Sequence, residues 1–212
     1  NIIKTEGNYF ILDKANDVNK LITQTIYLEP IDSMVLFTLS RPIALQGNFE
    51  VLNRDLDGSL TTLRQNSGRI SYKVFSDNNL PDINELRSDN AINPSSINRY
   101  LQIPKGLDER IPQLTKQIIY ESKSTNRFDQ VKAIESYLQN RFGYTLDLRA
   151  GGDDPLADFL FNVKEGHCEY FASALTIMLR TQGIPTRVVN GFQSGEYNET
   201  AGVYVVKQKN AH

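Results

Sequence analysis

The sequence predicts an α+β protein with a β-rich first half and a helical second half. Three observations carry this. Up to Val74, short β-branched and aromatic runs alternate with turn signals, roughly every ten residues. Beyond Pro104, apolar residues recur at helical spacing. Between them, Asp77 to Asn98 is rich in Asn, Asp, Ser and Pro and reads as a long irregular connection. The expected division is a β-rich N-terminal domain with its linker over 1–104 and a second domain over 105–212, truncated at its C-terminus.

Composition narrows the function classes. Apolar residues make up 40% and charged residues 23%, as in ordinary globular proteins. A net charge of −2 provides no basic field, and with no basic tract or zinc-knuckle spacing nucleic-acid binding is set aside. The single cysteine excludes an internal disulfide. No apolar run approaches the roughly 20 residues of a membrane span. The opening Asn1-Ile2-Ile3-Lys4 lacks an initiator Met and reads as a processed chain or an excised fragment.

In chain order, Gln24 to Leu28 favours strand, and Ser33 to Leu45 is a longer β-leaning run that Pro42 interrupts. Phe49 to Leu52 and Leu60 to Leu63 follow, separated by the Asp57-Gly58 turn; Asn66-Ser67-Gly68 is another turn. Ile70, Tyr72 and Val74 alternate with polar residues, as a half-buried strand requires. Tyr100 to Pro104 is read as extended. Ile111, Leu114, Ile118 and Ser122 share a helix face, with Pro112 tolerable only in the first turn. Asn126 caps the next helix, Phe128, Val131, Ile134 and Leu138 form its apolar stripe, and Gly143 is its stop. Tyr144 to Leu148 is extended, Gly151-Gly152 a loop, and Asp154-Pro155 opens a short helix that turns Leu156, Phe159 and Leu160 inward. A helix follows Cys168 and stops at Gly183-Ile184-Pro185. Thr186 to Phe192 and Gly202 to Lys209 are expected strands joined by a hairpin over 193–201.

The chemistry centres on Cys168, the only thiol, and His212, one of two histidines. The first turn of a helix favours an anion, because its backbone N–H groups are unpaired and the helix dipole points its positive end there. Those N–H groups can also hold an oxyanion. Gly166 would let the backbone approach a substrate carbonyl closely. A histidine on an adjoining strand can take the thiol proton and return it to a leaving amine. The reaction class is acyl transfer from an amide through a thioester. Against this stands the plain reading of a lone cysteine as a small buried hydrophobe. His167, next to the thiol in sequence, is a weaker candidate base. A metal site from His167, Cys168, Glu169 and His212 matches no common zinc spacing.

Gly166-His167-Cys168-Glu169-Tyr170-Phe171-Ala172-Ser173-Ala174 resembles the nucleophile motif of the transglutaminase-like superfamily, as does Leu179-Arg180-Thr181-Gln182-Gly183-Ile184-Pro185-Thr186-Arg187-Val188-Val189-Asn190-Gly191-Phe192. Tyr100 to Pro104, Asp154 to Phe161 and Ala211-His212 fit the bacterial membrane-anchored members of that group. The resemblance covers roughly 100–212 and implies a papain-like transglutaminase core, helices packed on an antiparallel sheet, preceded here by the β-rich domain. It implies Cys168 as nucleophile and His212 as base. It also implies a third member, an Asp on a strand beyond His212, which orients the imidazole; without it the chain is expected to be weakly active or inactive. Asp147, Asp153, Asp154 and Asp158 do not occupy that position. Arg187 is read as bracing its strand.

The expected function is transfer from a glutamine or peptide amide, through a Cys168 thioester, to an amine or water. The substrate would be a glutamine-bearing peptide or protein, or a cell-wall-like one. The alternatives are a non-catalytic extracytoplasmic scaffold or peptide- or glycan-binding module, and a cysteine peptidase or deamidase. No cofactor is required, and no acidic loop has calcium-binding spacing. The resemblance implies the extracytoplasmic, periplasmic domain of a membrane-anchored bacterial protein, with membrane contact only through flanking segments.

Overall fold

The computed structural model describes residues 5–6, 9–65, 67–147 and 151–212. The chain divides into two compact units, Asn1–Leu80 and Pro81–His212.

The first unit is two facing sheets. Strands β1 (Thr5–Glu6), β2 (Tyr9–Ile11), β3 (Ile22–Leu28), β5 (Pro42–Gly47) and β8 (Ile70–Ser76) form a five-stranded antiparallel sheet in the order β1-β2-β5-β8-β3. Strands β4 (Val35–Leu36), β6 (Leu52–Arg54) and β7 (Leu60–Thr62) form a second sheet in the order β4-β7-β6. Phe10, Leu45, Tyr72 and Val74 from the large sheet meet Leu36, Leu52 and Leu60 from the small one in a single buried cluster. The alternation read at Ile70, Tyr72 and Val74 is therefore the inward face of β8. The run around Pro42 resolves into two strands: β4 lies in one sheet, and Pro42 opens β5 in the other, with a register shift between Pro42 and Ala44. The Asp57-Gly58 turn joins β6 and β7, with Gly58 at φ +91°. Of the Asn66-Ser67-Gly68 turn, Asn66 lies outside the described residues.

A polar knot closes the end of β8. Asp77 is only 1% exposed. It accepts hydrogen bonds from the Asn79 backbone N–H at 3.1 Å and the Asn79 amide at 2.8 Å, and faces Arg41 at 3.6 Å. These partners, the Asn79 bonds first, outweigh burial and hold the Asp77 carboxyl below the usual carboxylate range. Its contribution to stability is thus complete above the unfolded value of about 3.9 and is lost as pH falls through the lower folded value. Asp77→Asn is expected to flatten the acid limb of the stability curve, read as urea midpoints between about pH 5 and about pH 2.

The second unit is built on helices. The stretch after Leu80 is less irregular than its composition predicts. It contains α1 (Ile83–Ser88), started by a capping box between Asp82 and Glu85, and a 3₁₀ segment over Ser95–Leu101. Arg87 of α1 bonds Asp129 at 3.0 Å, and the Tyr100 carbonyl accepts from Thr186 N. These contacts tie 81–104 to the helical unit, and the compact units part at Leu80. Tyr100 itself lies in the 3₁₀ segment, and Gln102 just after it is extended.

Helices α2 (Arg110–Ser122) and α3 (Arg127–Arg141) follow, the latter capped by Asn126 Oδ1 accepting from Asp129 N at 2.9 Å. The helix ends one residue before its Phe142 cap, and Gly143 begins β9 (Gly143–Tyr144). Of the extended stretch beyond it, Leu148 lies outside the described residues. Asp154 receives Leu156 N and Ala157 N and starts α4 (Pro155–Asp158), which widens into a π turn over Phe159–Val163. Strand β10 (Glu165–Gly166) pairs parallel to β9, and α5 (Cys168–Thr181) begins two residues later. Ile111, Ile118, Ile134, Leu138, Phe142, Phe159, Leu160, Ala174, Met178 and Leu179 make the core.

The segment after α5 departs from expectation. Thr186 to Gly191 is not a strand, and Phe192 forms only an isolated bridge to Ala211. The hairpin consists of β11 (Glu196–Asn198) and β12 (Val203–Val205), followed by a 3₁₀ turn over Gln208–Asn210. A strand needs a neighbour along its length, and among the described residues the ladder bonds here are confined to Gly191–Gln193 against Asn210–His212.

Candidate active site

Cys168 is the first residue of α5 and half-buried. Two features place it. The first is a cluster of rings beneath the helix start. Phe159 lies 4.9 Å from Phe142, 5.3 Å from Phe171 and 5.5 Å from Tyr170, centre to centre. It pins the first turn of α5 to the end of α3 and to the π turn. Burial of such rings dominates local packing energy. The second is the β9–β10 ladder: Gly143 N donates to Lys164 O at 2.9 Å and Thr145 N to Gly166 O at 3.0 Å, which fixes the strand leading into the helix.

His167 is the helix cap. Its Nδ1 accepts from Glu169 N at 3.3 Å, and its ring stands edge-on to Tyr170 at 5.0 Å. That bond requires an unprotonated Nδ1. Histidine is outside the usual Ser, Thr, Asn and Asp set of caps, so this role has no signal in the sequence. Among the described residues the Cys168 N–H has no acceptor, leaving it available to an oxyanion at the positive end of the helix.

Gly166 serves packing. A Cβ there would lie 2.9 Å from Tyr170 Cγ and 3.1 Å from Tyr170 Cβ. The root of that side chain, not only its tip, occupies the space, so the ring cannot simply swing away. Gly166→Ala is expected to cost about 1–3 kcal/mol through overpacking and to slow Cys168 alkylation. Thermal unfolding and the iodoacetamide rate at one fixed pH check both effects.

His212 sits at the other end of the C-terminal hairpin and is exposed. Its backbone is held on both sides: Gly191 N donates to His212 O at 2.9 Å, and His212 N to Gly191 O at 3.0 Å. The route back to α5 is short and riveted. Arg180 of α5 donates to Thr186 O through Nε at 2.9 Å and Nη2 at 2.5 Å, and to Gln102 O through Nη1 at 2.8 Å. Among the described residues, Cys168 Sγ makes no hydrogen bond to His212. The structure thus holds each residue on the same unit without joining the pair.

A small concavity is lined by Asp147, Gly151, Pro155, Asp158, Phe159, Val163, Glu165, Gly166 and Tyr170; Cys168 is not on its wall. Asp154 is used as a helix cap and Asp158 accepts from Asn162 at 2.8 Å. Among the described residues no group of three or more His, Cys, Asp or Glu is placed to hold a metal ion. Among them also, no helix is long and apolar enough to cross a membrane.

A thiol at a helix start over a packed aromatic floor, and a histidine past the following hairpin, are the candidate residues on this α+β scaffold. Residues 112–212 match the family model of the transglutaminase-like superfamily. Over 124 residues the chain is 32% identical to a protein-glutamine gamma-glutamyltransferase of Pseudomonas aeruginosa, a match covering 58% of this chain and 18% of that protein. Over 122 residues it is 39% identical to the uncharacterized protein YebA of Bacillus subtilis, covering 54% of this chain and 16% of that protein. Among solved structures it resembles the periplasmic domain of TgpA from Pseudomonas aeruginosa, with a TM-score of 0.74 and 27% identity over 95% of this chain and 65% of that one. The same domain bound to ethylmercury gives a TM-score of 0.73 and 28% identity, over 91% of this chain and 66% of that one. The chain therefore spans under a fifth of the length of its curated relatives and about two thirds of the solved domain. The likeness to TgpA extends over the strand-rich first unit as well as the helical one.

Proposed function

We propose that this chain carries the acyl-transfer site of a cysteine-dependent transglutaminase-like enzyme, with Cys168 as nucleophile and His212 as base. The observation that carries the reading is Cys168 at the first position of a buried, capped helix, within the stretch that matches the model of that superfamily. Cys168 Sγ, its proton taken by His212, attacks the side-chain carboxamide carbon of a glutamine in a peptide or protein. The Cys168 N–H faces the oxygen on which charge develops. The C–N bond breaks, the imidazolium returns the proton, and ammonia leaves. A primary amine then attacks the thioester and gives a substituted amide; water in its place gives glutamate. The glutamyltransferase relative supports the amine acceptor. The periplasmic TgpA domain supports an extracytoplasmic location.

The test is mass spectrometry of a glutamine peptide incubated with the full-length protein, which carries the Asp that the resemblance implies, with and without a primary amine. Ammonia replaced by amine is the expected product. Conversion to glutamate alone assigns a deamidase, and cleavage of the peptide backbone a peptidase. An unaltered peptide in both incubations rejects the enzyme and leaves the binding module.

A further inference from the structure

The large sheet of the first unit ends differently on its two sides. One edge is β1, two residues long. The other is β3, seven residues long, which pairs with β8 in unbroken register from Ile22↔Ser76 to Leu28↔Ile70. Among the described residues no backbone group of β3 bonds to anything beyond β8. Natural edge strands of this length usually carry a lysine, a proline or a bulge that blocks further pairing. From Leu21 to Leu28 there is no charged residue and no proline, and the ladder has no bulge. Thr23, Thr25 and Tyr27 are exposed, and Gln24 is turned to the other face, where its Oε1 accepts from Leu39 N at 3.1 Å.

The strand also matches itself. Ile22-Thr23-Gln24-Thr25-Ile26 reads the same in both directions. Two copies set antiparallel about a two-fold axis at Gln24 bring Ile22 opposite Ile26, Thr23 opposite Thr25 and Leu21 opposite Tyr27. In an antiparallel strand alternate residues point their N–H and C=O to the same side, and the axis maps each alternate set onto itself, so the register serves either set. Apolar and Thr–Thr cross-strand pairs are the favourable kinds. Lys20 precedes the strand and Glu29 follows it. In this register Lys20 falls opposite Leu28 and Glu29 opposite Asn19 of the other copy, so no like charges meet across the ladder. Local partners, Asp17 for Lys20 and Arg69 for Glu29, keep each end near neutral.

We propose that β3 is a homodimer interface, where two copies of this chain join edge to edge into one continuous sheet. The contact is small, so association is expected at high micromolar protein. Sedimentation equilibrium of the 212-residue chain is expected to show mass rising with concentration toward twice 24.0 kDa. Thr25→Lys, which places a charge against the other copy's Thr23, is expected to weaken dimerisation at least about tenfold with unchanged circular dichroism. A second measurement covers a variant that fails to fold: Thr23→Cys with Thr25→Cys, in a Cys168→Ser background, is expected to form disulfide-linked dimers on mild oxidation. A chain that stays monomeric to millimolar protein, a dimer indifferent to Thr25→Lys, or cysteines that do not cross-link between copies overturns the proposal.

Discussion

In the full-length protein, with the Asp that the resemblance implies in place, Cys168→Ala is expected to remove amide turnover, lowering the rate of ammonia release by at least about 10³-fold. No other thiol is present among these 212 residues to substitute for it. The loss should come without a loss of fold. The side chain is half-buried at a helix start, and the packing beneath it belongs to Phe142, Phe159 and Phe171. Removing one sulfur there should change stability by less than about 1 kcal/mol. His212→Ala should slow thioester formation by about 10²–10⁴-fold, the usual worth of a positioned base. The two variants separate roles. If the thioester forms with Cys168 alone, the histidine variant retains a slow burst and the cysteine variant shows none. Full turnover in Cys168→Ala would place the chemistry elsewhere in the chain. Unchanged cellular function in that variant, with no amide turnover by the parent, would establish the binding module.

How much of this is legible in the sequence follows from the range of the forces involved. Local rules work where one residue decides: Asn126 caps α3, Asp154-Pro155 opens α4, and Cys168 begins α5. Periodicity finds the cores of α2 and α3 through Ile111, Ile118, Ile134 and Leu138. It fails where structure depends on a distant partner. Val188 and Val189 have high strand propensity, yet among the described residues no neighbouring strand reaches them, and both stay exposed. α1 is hidden because its polar composition resembles a loop, while its capping box and the Arg87–Asp129 pair supply what propensity does not. At the site, the thiol and the terminal histidine are legible as residue types. The role of His167 as a cap and the packing of Tyr170 over Gly166 are not, because both are three-dimensional contacts without a sequence signature.

Gly195→Ala is expected to cost activity nearly as much as losing His212, about 10²-fold, while leaving the core intact. A Cβ at this position would lie 1.9 Å from Val205 O, 2.5 Å from its carbonyl carbon and 2.9 Å from Val206 Cα. All three are main-chain atoms of the opposing stretch, so no side-chain rotation relieves the clash and the two backbones must part. Gly195 lies between two paired stretches. On one side are Glu196↔Val205, Tyr197↔Tyr204 and Asn198↔Val203; on the other are Gln193 N to Asn210 O and the Gly191–His212 pair. Forcing the strands apart between them shifts the end that holds His212. The hairpin itself is largely exposed and outside the buried cluster of the second unit, so global unfolding should report little change. Gly202→Asn on the same hairpin is the control. Gly202 has φ +65°, a Cβ added there would meet no atom within 4 Å, and asparagine tolerates that backbone region. Thermal midpoints and ammonia release for the two variants decide the matter. Retained turnover in Gly195→Ala would mean that the base is not presented by this hairpin. Lost turnover in both variants at an unchanged midpoint would mean that the turn itself, and not the register at Gly195, governs the site.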